Sequence, residues 1–73
     1  MGNDQGARER MIQAALELID QAPDISRITV KQIARRAGVG AGSINYQFHS
    51  KDELLAAALS LKAAWAVEAF LGD

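Results

Sequence analysis

Apolar residues recur at helical spacing in four separate segments of the chain. In the first, over residues 7–22, they fall at three- and four-residue steps with charged and amide residues between them: Met11, Ile12, Ala15, Leu18, Ile19 and Ala22. This spacing predicts an amphipathic helix that presents one face to a core. Pro23 ends the helix, because it cannot donate a backbone hydrogen bond and restricts the residue before it. Residues 24–27 then form a short connection.

The second segment carries both a start signal and a stop signal for a helix. Thr29, followed three residues later by Gln32, is a capping box, in which each side chain accepts a hydrogen bond from the backbone N–H of the other residue. Gly38 stands where a left-handed residue commonly ends a helix. The apolar face between these signals consists of Val30, Ile33, Ala34 and Ala37. Together these features predict a helix over residues 30–37.

Glycines at alternate positions lead into a third predicted helix over residues 41–48. Ile44 and Phe48 are four residues apart and face inward together with Val39. The opposite face carries no charged side chain and consists of Gly42, Ser43, Asn45 and Tyr46. A solvated face is normally richer in lysine and glutamate, so this one is typical of a surface that contacts bases. The glycine spacing lacks the Lys-Ser/Thr pair of a phosphate-binding loop, so no nucleotide site is predicted.

The fourth segment is a helix over residues 51–71 that is apolar on nearly every side. Ser50 and Glu53 form a second capping box at its start. From residue 54 onward its only charges are Lys62 and Glu68. Such a helix requires partners on several sides, and three short helices cannot cover it. We therefore expect the chain to be the N-terminal part of a longer protein.

These elements predict an all-α fold, a three-helix bundle that contains a helix-turn-helix and is extended by a fourth connecting helix. At 73 residues the chain can hold one small domain. We expect residues 1–50 to form the helix-turn-helix domain and residues 51–73 to connect it to a C-terminal domain outside the chain. That domain would bury Trp65 and Phe70.

Charge is segregated along the chain, although the net charge is only −1. The 26 residues from Ser26 to Lys51 contain five cations and no acidic residue, whereas the other residues contain three cations and all nine acidic residues. Positive charge concentrated on a helix-turn-helix is the electrostatic signature of a DNA-binding element. The pI near 5.7 is low for such a domain, but at a screening length of about 8 Å a duplex responds mainly to the local face.

The composition excludes several classes of function. Without cysteine there is no disulfide, thiolate zinc site or cysteine nucleophile, and the single histidine, His49, cannot build a metal site alone. No nucleophile–base pair is apparent, so we expect neither an enzyme nor a cofactor. No stretch of about 18 uncharged apolar residues occurs, and residues 1–5 lack an apolar signal core. We therefore expect a cytoplasmic protein that does not span a membrane.

Three stretches of the chain resemble one known family. They read T-V-K-Q-I-A-R-R-A-G-V at residues 29–39, G-S-I-N-Y-Q-F at residues 42–48 and S-K-D-E-L-L at residues 50–55. Over residues 8–60 the chain resembles the DNA-binding domain of TetR-family transcriptional regulators. The resemblance implies an intracellular regulator, usually a repressor, that binds a palindromic operator in double-stranded DNA as a homodimer. It also implies release from DNA by a small-molecule effector that binds the C-terminal domain.

Ser43 and Tyr46 are the predicted base-reading residues, because a hydroxyl can meet a polar base edge and an aromatic ring can contact a thymine methyl. The predicted phosphate contacts come from helix starts, first-turn amides and polar side chains of the basic segment: Thr29, Arg36, Gly40, Ala41, Asn45, Gln47 and Lys51. The family position supports Lys51 in particular. Arg8 and Arg10 are weaker candidates, since Glu9 and Glu17 offer them local partners.

Three of these residues depart from the family pattern. Gly40 replaces the usual Ser or Thr at the N-cap of the third helix, so a hydroxyl contact is lost. Asn45 stands where Tyr is common, and Gln47 stands where Tyr or His is common. Since both amides still form hydrogen bonds, we expect these changes to alter the operator sequence more than DNA binding itself.

A helical protein-interaction module is the rival interpretation of the chain. Its docking surface would be the apolar face of the helix over residues 51–71. Such a module would self-associate in a salt-insensitive way and would have no affinity for DNA.

Overall fold

The computed structural model describes residues 3–72, and this part of the chain is built from helices without a strand. The four α-helices are α1 (Asn3–Gln21), α2 (Val30–Ala37), α3 (Ala41–Phe48) and α4 (Lys51–Leu71). A short 3-10 turn, Ile25–Arg27, lies between α1 and α2. The predicted all-α fold is confirmed.

The predicted bounds of α2 and α3 agree with the structure, whereas α1 begins earlier than predicted, at Asn3 instead of residue 7. Residues 3–6 are polar or glycine, so no apolar periodicity marks this first turn. The capping box predicted before α4 is only half formed. The Ser50 hydroxyl accepts a hydrogen bond from the Glu53 backbone N–H at 3.2 Å, but the Glu53 carboxylate does not accept one in return from the Ser50 N–H, which donates to the Phe48 carbonyl instead.

The start and end of α2 have the local geometry that the sequence predicts. The Thr29 hydroxyl accepts from the Gln32 backbone N–H at 3.1 Å, and the Gln32 side-chain oxygen accepts from the Thr29 N–H at 2.8 Å. At the other end Gly38 has φ 74°, and its N–H donates to the carbonyl of Ala34 at 2.9 Å. The turn between α2 and α3 therefore begins with a residue in the left-handed conformation, which only glycine adopts without strain.

Each helix contributes one large, fully buried side chain to a common core. These four residues are Met11, Ile33, Ile44 and Leu54. α1 packs against α2 and α4, and α3 packs against the same two helices. The other buried apolar residues are Ala14, Ala15, Leu16, Ile28, Ala34, Ala37, Phe48, Leu55 and Ala58.

The buried face of α1 is wider than its periodicity predicts. Ala14 and Leu16 are buried although they lie outside the predicted apolar stripe, while Ile12 of that stripe is only partly buried. Because α1 contacts two other helices, it buries two adjoining stripes instead of one. Val39, another predicted core residue, is also partly buried against the core.

α4 is buried at its start and exposed along its second half. Leu54, Leu55 and Ala58 lie in the core, whereas the side chains of Trp65 and Phe70 are 49% and 85% exposed. By length and composition alone, α4 would suffice to cross a membrane, with a mean hydropathy of 1.6 over its most apolar window. The sequence did not predict this candidate, because Lys62 and Glu68 interrupt the apolar run of α4. A single helix that meets this criterion is weak support for a membrane span.

An ion pair joins α1 to α2 on the surface of the bundle. A guanidinium nitrogen of Arg36 lies 2.8 Å from a carboxylate oxygen of Glu17. The hydrogen bond from Arg36 is the main reason why the pKa of the Glu17 carboxyl lies below its usual value. A carboxyl group whose pKa is lowered by folding stabilises the folded state above its ordinary pKa, and the contribution is lost as the pH falls through the lowered value.

We predict opposite effects on stability for alanine at two glycines. A Cβ at Gly38 or at Gly42 would meet no atom within 4 Å, so only backbone conformation distinguishes them. Gly38→Ala should lower the free energy of unfolding by about 1 kcal/mol, because an L-residue is strained in the left-handed region. Gly42→Ala should raise it by about 0.5–1 kcal/mol, because alanine favours the α3 helix. Urea denaturation followed by circular dichroism measures both, and a Gly38→Ala variant as stable as the original would contradict the assigned turn.

We also predict that Arg36→Gln raises the pKa of Glu17 toward its usual value, since the main cause of the lowering is removed. An NMR titration of the Glu17 side chain between acid and neutral pH measures this. Arg35→Gln is the matched control, because Arg35 is an exposed neighbour that forms no ion pair with a side chain of residues 6–72. An equal change in both variants would show that general charge, and not the Arg36 contact, lowers the pKa.

Candidate nucleic-acid interface

The outer face of α3 is polar, uncharged and open to solvent. Ile44 and Phe48 point into the core, and this leaves Ser43, Asn45 and Tyr46 exposed. Tyr46 is 78% exposed, which is unusual for a large aromatic side chain that gains nothing from packing within the domain. The predicted outward orientation of these side chains is confirmed, and their contacts with bases stay a prediction.

The N-terminal end of α3 has no side-chain cap. Gly40 occupies the N-cap position in an extended conformation, with φ −81° and ψ 154°, and its carbonyl accepts from the Ser43 N–H at 3.0 Å. Among the side chains of residues 6–72, none accepts a hydrogen bond from the first-turn amides of Ala41 and Gly42. Backbone amides at such a position can donate to an anion, and the helix dipole favours a negative charge there.

Thr29 and Lys51 stand beside the helix starts on either side of α3. The Thr29 hydroxyl accepts the capping bond from Gln32, and its own proton is still available for donation. The Lys51 ammonium donates to the backbone carbonyl of Ser26 at 3.3 Å. Since an ammonium carries three donors, this bond leaves two for another acceptor while restraining the position of the side chain.

Asn45 and Gln47 differ in how much of their side chains is available. Asn45 is exposed, whereas Gln47 is half-buried. The backbone carbonyl of each residue is already engaged: that of Asn45 accepts from the His49 N–H at 2.8 Å, and that of Gln47 accepts from Arg8. Of the two side-chain amides, that of Asn45 is the better placed to reach an external phosphate.

The arginines of α1 do not have the partners that the sequence predicts. Glu17 pairs with Arg36 of α2, so it is not a local partner of Arg10. Instead, Arg10 donates to the backbone carbonyl of Ala37 at 3.3 Å. Arg8 donates to the carbonyl of Gln47 at 3.4 Å, and its guanidinium carbon lies 4.3 Å from the centre of the Phe48 ring. No sequence pattern marks these contacts, because they join residues far apart in the chain.

The basic segment keeps most of its positive charge at the surface. Among the side chains of residues 6–72, ion pairs join Arg36 to Glu17 and Lys62 to Asp20. The exposed cations Arg27, Lys31 and Arg35 form none within that range. Their positive charge can therefore attract a polyanion. In the same part of the chain, no cluster of histidine and acidic side chains could hold a metal ion.

Comparison with known proteins identifies the family. The model of the family described as bacterial regulatory proteins, tetR family, matches residues 11–58. These residues include α2, α3 and the buried start of α4. No solved structure matched the chain at a significant level.

Several curated relatives are similar to most of the chain. The HTH-type transcriptional regulator BetI 1 of Chromohalobacter salexigens is 46% identical over 52 residues, which cover 71% of this chain and 25% of the relative. The HTH-type transcriptional regulator SrpR of Pseudomonas putida is 45% identical over 53 residues, which cover 73% and 24%. TtgW, also of Pseudomonas putida and described as an uncharacterized HTH-type transcriptional regulator, is 43% identical over 53 residues, covering 73% and 39%.

The aligned region is thus about a quarter of the length of BetI 1 and SrpR. The region that matches the family model, residues 11–58, contains the helix-turn-helix and most of the helical segments that pack against it. The chain belongs to the tetR family of bacterial regulatory proteins and carries the DNA-binding helix-turn-helix domain of that family.

Proposed function

We propose that the chain binds double-stranded DNA in a sequence-specific manner, with α3 lying in the major groove. The exposed, uncharged outer face of α3 is the observation that carries this proposal. A helix with its side chains is about 10–12 Å wide, and the major groove is about 12 Å wide. The family match supports DNA-binding regulation of transcription, and the mode of entry into the groove is our proposal.

Ser43 and Tyr46 would read the bases. Both side chains are exposed on the outer face of α3, and neither forms a hydrogen bond to another side chain of residues 6–72. The Ser43 hydroxyl can donate to or accept from a base edge, while the Tyr46 ring offers an apolar surface for a thymine methyl.

Contacts with phosphates would hold the domain in register and supply most of the affinity. The amides of Gly40 and Ala41, the hydroxyl of Thr29 and the ammonium of Lys51 are proposed for this role, together with the side chains of Asn45, Gln47 and Arg36. Among these, Arg36 joins the set only if it exchanges Glu17 for a phosphate.

We further propose that the protein acts as a repressor and binds a palindromic operator as a homodimer. In this proposal residues 1–50 are the DNA-binding domain, and residues 51–73 lead to a C-terminal domain that binds a small-molecule effector. A dimer would double the number of contacts and match two half-sites, so a single domain would bind DNA more weakly.

The rival proposal, a protein-interaction module, is supported by the exposed second half of α4. Trp65, Val67, Phe70 and Leu71 present apolar surface there. Apolar surface of this kind favours association that is insensitive to salt. The two proposals are compatible, since one surface lies on α3 and the other on α4.

The first test is a salt titration of binding to short duplexes, followed by fluorescence anisotropy. We predict that the logarithm of the binding constant falls with the logarithm of salt concentration with a slope of about −3 to −6, as expected for several phosphate contacts. Lys51→Ala should make the slope shallower by about one unit. Lys62→Ala is the matched control, because Lys62 lies on the same helix but about 16 Å further along its axis.

The two proposals predict different outcomes of this titration. If the folded chain shows no binding at about 50 mM salt but self-associates independently of salt, the interaction module replaces the DNA-binding proposal. If both lysine variants change the slope equally, Lys51 is not a phosphate contact.

A second prediction concerns base reading by Tyr46. Against a duplex selected from a randomised pool by the original chain, Tyr46→Ala should lose about 1–3 kcal/mol of binding free energy, with little loss on a scrambled duplex. Tyr46→Phe keeps the ring and removes only the hydroxyl, so it should retain most of the affinity if the ring contacts a thymine methyl. Equal losses on both duplexes would remove the base-reading role.

A further inference from the structure

Two arginines of α1 contact the C-terminal ends of α2 and α3, the two helices of the helix-turn-helix. Arg10 donates to the carbonyl of Ala37, the last residue of α2, and Arg8 donates to the carbonyl of Gln47, in the last turn of α3. Carbonyls in the last turn of a helix lack intrahelical donors, and the helix dipole places partial negative charge there. Both arginines therefore lie where a cation stabilises a helix end.

α3 depends on this contact more than α2 does. α2 has its own cations in its last turn, Arg35 and Arg36, whereas α3 has no basic residue in its last turn. Arg8 supplies the missing cation from another helix, across 39 positions of sequence. This contact thus links the N-terminal part of α1 to α3, the helix that we propose to lie in the major groove.

The geometry of Arg8 suits arginine and not lysine. Its guanidinium lies 4.3 Å from the centre of the Phe48 ring while one nitrogen donates to the Gln47 carbonyl. A planar guanidinium can stack on a ring and donate in its own plane at the same time, whereas an ammonium is a compact point charge. Because Phe48 is 3% exposed, its ring is fixed in the core and forms a firm support.

The residues after Phe48 make the end of α3 sensitive to loss of this support. His49 has φ 66°, in the left-handed region that non-glycine residues rarely adopt, and the Ser50 N–H donates back to the Phe48 carbonyl at 2.6 Å. A strained residue persists only where its surroundings hold it in place. α3 has only eight residues, so a shift at its C-terminal end would also move its outer face.

We propose that Arg8 is a positioning residue that fixes the C-terminal end of α3 and thereby the orientation in which the outer face of α3 meets DNA. Orientation toward DNA rests on the proposed function, whereas the restraint on α3 does not. Arg8 therefore acts on specificity through Phe48 and Gln47, without touching a base.

The test uses three variants of the chain. Arg8→Gln removes the charge, and Arg8→Lys keeps the charge but removes the planar group. Arg10→Gln is the matched control, because it removes the corresponding contact with α2. Circular dichroism and thermal unfolding first establish that each variant is folded. If Arg8→Gln does not fold, the measurements below are made on Arg8→Lys alone.

The first measurement needs no DNA. Amide hydrogen exchange by NMR should be about fivefold to tenfold faster for residues 46–49 in both Arg8 variants, because the end of α3 opens more often. In Arg10→Gln the faster exchange should appear instead at Gly38, whose N–H donates to the α2 carbonyls. Unchanged exchange at residues 46–49 in both Arg8 variants would overturn the proposal.

The second measurement compares a duplex selected from a randomised pool with a scrambled duplex. Both Arg8 variants should bind the selected duplex about tenfold more weakly, with unchanged affinity for the scrambled duplex and an unchanged salt slope. If Arg8→Gln weakens binding to both duplexes equally and lowers the salt slope by about one, while Arg8→Lys restores both, Arg8 is a phosphate contact and the proposal is overturned.

Failure of the proposed function has a different signature. In that case the original chain enriches no duplex from the randomised pool, and a role of Arg8 in DNA reading is overturned with it. The exchange measurement still decides whether Arg8 restrains α3.

Discussion

A single small core, to which each helix contributes one fully buried large side chain, determines the rest of this structure. Met11, Ile33, Ile44 and Leu54 meet there, one from each helix. A chain of this size has little apolar surface to bury, so no helix can leave the core without loss of the fold. The outer face of α3 is what remains once Ile44 and Phe48 are buried, and it is free of packing requirements. Surface chemistry there can therefore follow the demands of binding.

Positive charge serves two physical purposes in this domain. Arg8, Arg10 and Arg36 tie α1 to the ends and surfaces of α2 and α3. Other cations of the basic segment, such as Lys31 and Arg35, form no ion pair with a side chain of residues 6–72 and contribute to the long-range field. A count of charge along the sequence does not distinguish the arginines that contact other helices from the cations that form no ion pair. It also counts Arg36 as unpaired, although Glu17, from outside the basic segment, lies against it.

α4 has a similar apolar composition in its buried first part and in its exposed second half. Its first turns complete the core through Leu54, Leu55 and Ala58, and its second half presents Trp65 and Phe70 to solvent. The apolar residues run through both halves without a break in pattern, because a helix covered by protein on several sides needs no polar stripe. The composition of α4 therefore does not distinguish the residues that pack in the core from those that are exposed to solvent.

The sequence alone determined the helix bounds of α2 and α3, the capping box at Thr29, the left-handed residue at Gly38 and the outward face with Ser43 and Tyr46. These features arise from interactions within a few residues, which periodicity and capping rules describe. Tertiary structure decided the wide buried face of α1, the pairing of Glu17 with Arg36, and the contacts of Arg8 and Arg10 with helix ends. Those polar contacts join residues 19 to 39 positions apart. Only the packing of helices brings such atoms together, so no local pattern could predict them.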